Sequence, residues 1–126
     1  MEKIYQAFYQ ADEIKTGAYG EGFYGDMLEA HKSGKITEAD VVLVVNTLVA
    51  VDEIRDVFAG EIQELIFAQI KSQASMVETC DFLKEICNFY NGEYIEEEVI
   101  TKIFDEVHEK TISLADGIKR MHAIFA

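Results

Sequence analysis

Apolar residues recur every three or four positions through almost the whole chain, and this spacing limits the possible folds more than any other feature. It places apolar side chains on one face of an α-helix, whereas a half-buried strand alternates at every second residue. Proline is absent, so no ring of that kind interrupts a predicted helix. The sequence therefore predicts an all-α fold, a compact bundle of six or seven helices formed by residues 1–126 as a single domain.

Several predicted helices begin at recognisable capping signals. The first helix is expected over about residues 3–15 and a short second helix over 23–32, with a glycine-rich loop between them. Three later starts have a hydroxyl residue followed three positions on by an acid, which is typical of a capping box or a close variant of it. These pairs are Thr37 with Asp40, Ser75 with Glu78, and Ser113 with Asp116.

The segment Val41–Val45 is ambiguous, because its four valines also suit a buried strand. Helical spacing nevertheless continues from Val41 through Phe58, for more than four turns. A lone strand would have no partner elsewhere in the chain. We therefore predict one helix that extends to Phe58 and ends before Gly60.

The glycine-rich stretch reads G-x-G-x-x-G from Gly20 to Gly25. In a dinucleotide-binding fold this motif follows a strand and opens a helix, whereas here a predicted helix precedes it. Glu21 and Asp26 would also repel a phosphate. We interpret the stretch as a hinge whose glycines adopt positive φ.

Three aromatic residues lie in or beside the predicted hinge, namely Tyr19, Phe23 and Tyr24. The sequence leaves two alternatives for them. Their rings either fold back onto the core or stand out as contact residues for a partner.

The chain is strongly acidic, with 11 Lys and Arg against 24 Asp and Glu and a net charge of −13. Such a field repels phosphate backbones and anionic lipids, so direct binding to nucleic acid or to a membrane is disfavoured. It favours a basic partner. The alternative is that the charge serves solubility alone.

The most concentrated acidic segment, residues 93–98, contains four glutamates around Tyr94. Acids in the first turn of a helix interact favourably with the helix dipole, which is the structural interpretation. The functional interpretation is a contact surface for an arginine-rich groove, with Tyr94 as the anchor. The predicted partner-binding residues are Glu93, Tyr94, Glu96, Glu97, Glu98, Asp105, Glu106, Tyr19, Phe23 and Tyr24. A second acidic patch comprises Asp52, Glu53 and Asp56.

No pattern in the sequence is typical of a catalytic site, so no enzyme activity, cofactor or metal is predicted. Asp105, His108 and Glu109 could together meet a metal ion on one helix, but no second D/E-x-x-H pair completes a di-iron bundle. Cys80 and Cys87 lie on an apolar helical stripe, which raises the pKa of a thiol and makes it unreactive.

The two cysteines also bear on localisation. A separation of seven residues on a helix puts their Cα atoms about 10.5 Å apart, too far for a disulfide. Buried free thiols are typical of a reducing compartment, and the first residues do not resemble a signal peptide. We therefore expect a cytoplasmic protein.

Two phrases 58 residues apart, "KSGKITEAD" and "YNGEYIEEE", both read as a helix end, a glycine and an acidic helix start. Such pairs resemble the helix-turn-helix units of TerB-like domains, and "SGKITEAD" is similar to a phrase in small helical immunity proteins of the colicin D type. The TerB-like resemblance implies an acidic all-helical fold that binds a metal or a small ligand. The aspartate that precedes the glycine in a TerB-like turn is Ser33 in one copy and Asn91 in the other.

The sequence thus favours a non-catalytic interaction protein that masks a basic surface of a partner, such as a basic groove of a nucleic-acid-binding complex. An inhibitor, an immunity protein, a phage anti-defence protein and a nucleic-acid mimic all share this chemistry. The alternative function is a TerB-like domain that binds a metal or a small ligand. A third alternative is a homo-oligomer, with the apolar segment 41–51 buried between subunits.

Overall fold

The computed structural model describes residues 2–11, 14 and 19–125. These residues form eight helices and contain no strand, which confirms the all-α prediction with a count slightly above the one expected. The helices are α1 (Glu2–Gln10), α2 (Gly20–Lys32), α3 (Glu38–Ala50), α4 (Asp52–Arg55), α5 (Ala59–Lys71), α6 (Met76–Phe89), α7 (Tyr94–His108) and α8 (Leu114–Phe125).

The three predicted hydroxyl caps are confirmed, because each accepts a hydrogen bond from the backbone N–H three residues on. The donor–acceptor distances are 3.1 Å from Asp40 to Thr37, 3.3 Å from Glu78 to Ser75 and 3.0 Å from Asp116 to Ser113. Each bond satisfies one of the amides that the first turn of a helix leaves without an intrahelical partner. The starts of α3, α6 and α8 are therefore fixed by local sequence.

The predicted first helix and the predicted hinge are both wrong in extent. The helix α1 ends at Gln10 rather than near residue 15, and residues 12, 13 and 15–18 lie outside the described part. The helix α2 begins at Gly20, so Gly22 and Gly25 lie in its interior instead of in a loop. Of these three glycines only Gly20 has a positive φ, 54°.

The long helix expected from Val41 to Phe58 is interrupted at Val51, which has φ −98° and ψ 42°. The chain restarts there as the short helix α4, and the next helix already includes Gly60. The Arg55 side chain reaches back across the break and donates a hydrogen bond from Nη1 to the Leu48 carbonyl oxygen at 3.0 Å. The break therefore gives a late carbonyl of α3 a buried charged donor.

The helix α6 lies at the centre of the bundle, in contact with α3, α4, α5 and α8. The helix α1 packs on α3, and α5 packs on α7. Phe82 of α6 is fully buried and meets Phe104 of α7 edge to face, with ring centroids 5.7 Å apart. These contacts bury the apolar stripes that the sequence predicts.

The apolar segment 41–51 belongs to this core. It forms α3 rather than a strand, and Val41, Val44, Val45 and Leu48 are at most 1 % exposed within a single chain. The helices α1 and α6 cover it.

None of the helices in the described ranges combines the length and the apolar composition needed to cross a membrane.

Candidate partner-binding surface

The first turn of α7 carries two apolar side chains that point into solvent. Tyr94 is 72 % exposed and Ile95 is 73 % exposed, the highest values among the large apolar side chains that the structure describes. A helix of a globular protein normally turns its large apolar residues toward the core. These two residues therefore form an exposed apolar patch, and neither belongs to the hydrophobic core of the described residues.

Glu96, in the same turn, points inward and is only 7 % exposed. Its Oε1 accepts hydrogen bonds from the backbone N–H of Asn91 at 2.9 Å and of Glu93 at 3.2 Å, and its Oε2 accepts one from the Asn91 amide at 3.2 Å. These hydrogen bonds lower the pKa of the Glu96 carboxyl, and the bond from the Asn91 backbone N–H has the largest effect. The predicted contact role of Glu96 is therefore replaced by a capping role, because its oxygens are already occupied.

Glu97 bridges to the end of α6. The Tyr90 hydroxyl donates a hydrogen bond to Glu97 Oε1 at 2.7 Å. This bond to the carboxylate is the main reason that the pKa of Tyr90 rises to about 12. The carboxylate of Glu97 is thus held in place, whereas Glu93 and Glu98 are exposed.

The Tyr90–Glu97 bond predicts a stability change at high pH. A phenol whose pKa is higher in the folded state contributes stability below its ordinary value, near 10, and loses it as pH rises toward 12. The difference in unfolding free energy between wild type and Tyr90→Phe should therefore shrink between pH 10 and pH 12, as measured by urea titration.

A matched variant tests the cause. In Glu97→Gln the phenol loses its charged acceptor, so the tyrosine titration at 295 nm should gain a component at lower pH. An unchanged titration would show that the bond does not set this pKa.

The two acidic patches of the sequence lie around the same end of α6. Phe58, which follows α4, contacts Tyr90 edge to face with ring centroids 5.6 Å apart. Burial raises the pKa of the Cys87 thiol, and the nearby charges of Glu53 and Asp52 raise it further. Cys87 lies in the last turn of α6 and Tyr90 caps its C-terminal end, so the acids of α4 and those at the start of α7 flank this end of the helix. We call this region the acidic end, and it comprises Asp52, Glu53, Glu93, Glu97 and Glu98. Asp56 instead pairs with Arg55, whose Nε lies 3.8 Å from Asp56 Oδ1.

Asp105 and Glu106 lie further along α7. Asp105 is exposed, and seven residues place it about 10.5 Å beyond Glu98 on the same face of the helix. Glu106 forms an ion pair with Arg120 of α8. The charge of Glu106 is therefore partly neutralised within the fold. Of Asp105 and Glu106, Asp105 is the acid that remains accessible.

The three aromatic residues near Gly20 follow the first of the two alternatives, folding onto the core. Tyr19 is 3 % exposed and Phe23 is 1 % exposed, and the Tyr19 hydroxyl donates to the Arg55 carbonyl oxygen at 2.8 Å. Tyr24 is half-buried against Phe8, with ring centroids 4.7 Å apart. Tyr19 and Phe23 are therefore corrected from contact residues to core residues.

The metal alternative finds no assembled ligand set in the described part of the chain. No three His, Cys, Asp or Glu side chains there come together in a way that could hold a metal ion. His108 is exposed at the end of α7. His122 Nε2 lies 3.3 Å from Glu85 Oε2.

Both cysteines are free thiols, as the spacing predicts. Cys80 is 1 % exposed, and burial raises the pKa of its thiol. A thiol that stays protonated near neutral pH is a poor nucleophile.

Comparison of the chain with protein-family models, with curated proteins and with solved structures finds no match.

The sequence predicts Tyr94 of this patch as a contact residue but does not predict Ile95. The buried residues of α7 include Ile100, Ile103, Phe104 and Val107, and Ile95 falls outside the helical spacing that joins them. This departure from the apolar stripe is the sequence feature that indicates an exposed position for Ile95.

Proposed function

We propose that this protein is a non-catalytic interaction protein whose acidic end binds and masks a basic surface of a partner protein. The observation that carries the proposal is that Tyr94 and Ile95, the two most exposed large apolar side chains among the described residues, lie within the most acidic turn of the chain. An aromatic anchor inside a charged rim is the composition of an interaction hot spot.

The surrounding charges define the partner. The five carboxylates of the acidic end attract Lys and Arg and repel phosphate, so a basic protein surface with an apolar pocket is the expected complement. The net charge of −13 adds long-range steering to that contact. An inhibitor of a nuclease or a defence complex, an immunity protein and a nucleic-acid mimic would all act by occupying such a surface. The free thiols favour a reducing compartment, and we propose the cytoplasm.

The test is capture from an extract of the native host by the immobilised protein. Washes at about 0.1 M and about 1 M salt reduce the Debye length from about 10 Å to about 3 Å, so the partner should elute in the second wash. Ile95→Ser should weaken its retention by at least about fivefold, the effect of a side chain worth more than about 1 kcal/mol at an interface.

The control is Val77→Ser. Val77 is also an exposed apolar residue at the second position of a helix, with 56 % exposure, but it lies at the opposite end of α6 from Tyr90. The proposed surface would be contradicted if Ile95→Ser and Val77→Ser weaken retention equally. It would also be contradicted if the immobilised protein captures no partner at either salt concentration.

A further inference from the structure

A groove lined by aromatic rings lies between α1 and α2. Its volume is about 320 Å³, at the small end of the range for ligand pockets. The described residues that line it are Tyr5, Phe8, Tyr9, Gly20, Glu21 and Tyr24. Four of these six are aromatic and one is a carboxylate, so the groove has the composition of a site for an organic cation.

The rings are placed by contacts within the fold. Tyr5 and Tyr9 stack on the exposed face of α1, with ring centroids 6.0 Å apart and an interplanar angle of 23°. Phe8, which lies three residues after Tyr5 and directly before Tyr9, is buried and contacts Tyr24 edge to face at 76°. Tyr5 is 58 % exposed and Tyr9 is 61 % exposed, so their rings remain accessible to a ligand.

The charge of the groove points to a cation. The faces of aromatic rings are electron-rich and attract ammonium groups, above all alkylated ones, which are easily desolvated. Glu21 adds a negative charge and also offsets the positive end of the α2 dipole, which would otherwise oppose a cation. Gly20 lines the groove at the start of that helix and contributes no side chain to it.

From this juxtaposition of ring faces and carboxylate we propose that the groove between α1 and α2 binds a small alkylated ammonium cation. None of the described residues that line the groove belongs to the acidic end. The proposed site gives the glycine-rich stretch a binding role whose ligand has the opposite charge to a phosphate.

The test uses choline as the probe, compared with 3,3-dimethylbutan-1-ol, in which a neutral tert-butyl group replaces the trimethylammonium. The protein has six tyrosines and no tryptophan, so the tyrosine ring resonances in NMR spectra can report on each site separately. Both ligands are titrated at constant ionic strength. Choline should produce saturable shifts at Tyr5, Tyr9 and Tyr24 but not at Tyr94. The neutral alcohol should bind about 2-fold to 30-fold more weakly, the range expected for a cation–π contact.

Three variants distinguish the contribution of the ring face from those of side-chain size and charge. Tyr5→Phe should keep the affinity, whereas Tyr5→Leu should lose at least about 2-fold, because leucine fills space without a π face. Glu21→Gln should weaken choline about fivefold, the effect of one unit charge at about 4 Å in water. Tyr5 and Glu21 are exposed, so the fold should tolerate these changes.

Several results would overturn the proposal. They are equal affinity for choline and the neutral alcohol, equal shifts at Tyr94, no saturable shift at all, or unchanged choline affinity in Tyr5→Leu or in Glu21→Gln.

Discussion

Gly117→Ala should destabilise the protein by about 1–3 kcal/mol, the usual cost of forcing an extra methyl group into a packed core. A Cβ atom at Gly117 would lie 2.8 Å from Phe82 Cε2 and 3.2 Å from Val107 Cγ2. Phe82 is fully buried and wedged against Phe104, so its ring has no room to withdraw. The glycine therefore permits the close approach of α8 to α6 and α7.

The control is Gly25→Ala in α2, where an added Cβ has nothing within 4 Å. Both glycines lie inside helices, and alanine is favoured over glycine there by about 1 kcal/mol. Gly25→Ala should therefore raise the unfolding free energy by about 0.5–1 kcal/mol, while Gly117→Ala lowers it. Equal stabilisation of both variants in urea titrations would show that α8 does not approach its neighbours this closely.

Arg55→Met should also be strongly destabilising, by about 1.5–3 kcal/mol, the range for hydrogen bonds to charged groups. Arg55 is 7 % exposed, and its Nη1 donates to the Leu48 carbonyl oxygen at 3.0 Å. Its own carbonyl oxygen accepts from the Tyr19 hydroxyl at 2.8 Å. The residue therefore joins α2, α3 and α4, and methionine would keep its bulk but leave the Leu48 carbonyl without this donor.

Arg120→Met is the matched control. Arg120 pairs with Glu106 at a half-exposed position, with 41 % side-chain exposure, and such surface pairs contribute only about 0–1 kcal/mol. Thermal or urea unfolding of the two variants should separate them clearly. A cost below about 0.5 kcal/mol for Arg55→Met would mean that the buried donor is not needed at the break after α3.

The helices were largely predictable because their signals are local. Thr37, Ser75 and Ser113 each cap a helix through contacts within four residues of sequence, and the apolar spacing identifies the buried faces. The break at Val51 was not predictable in this way. The valine pattern runs through it without change, and the interruption is accompanied by the hydrogen bond from the Arg55 side chain to the Leu48 carbonyl, seven residues earlier.

The candidate surface was predictable in part. Composition identified the acidic turn around Tyr94, but only the three-dimensional structure separates Glu96, which caps its own helix, from the exposed Glu98. The proximity of the α4 acids to that turn depends on packing between Phe58 and Tyr90, which no local pattern encodes. Likewise, the closeness of α8 at Gly117 depends on helix packing and not on the glycine itself.

The proposed function predicts an association rate that depends on charge at one end of the molecule. Glu53 and Glu98 are exposed acids of the acidic end. Asp26 and Glu29 are exposed acids that lie beside Lys71, at the far end of α5 from Phe58. The 13 residues of α5 span about 20 Å, so these two pairs of charges are well separated.

The most direct measurement is therefore the association rate of the captured partner as a function of salt, for the wild type and two charge-matched double variants. Glu53→Gln with Glu98→Gln should slow association and flatten its salt dependence, while Asp26→Asn with Glu29→Gln should have a much smaller effect. Equal slowing by both pairs would show that only the overall charge matters. A rate that is independent of salt would contradict binding through the acidic end.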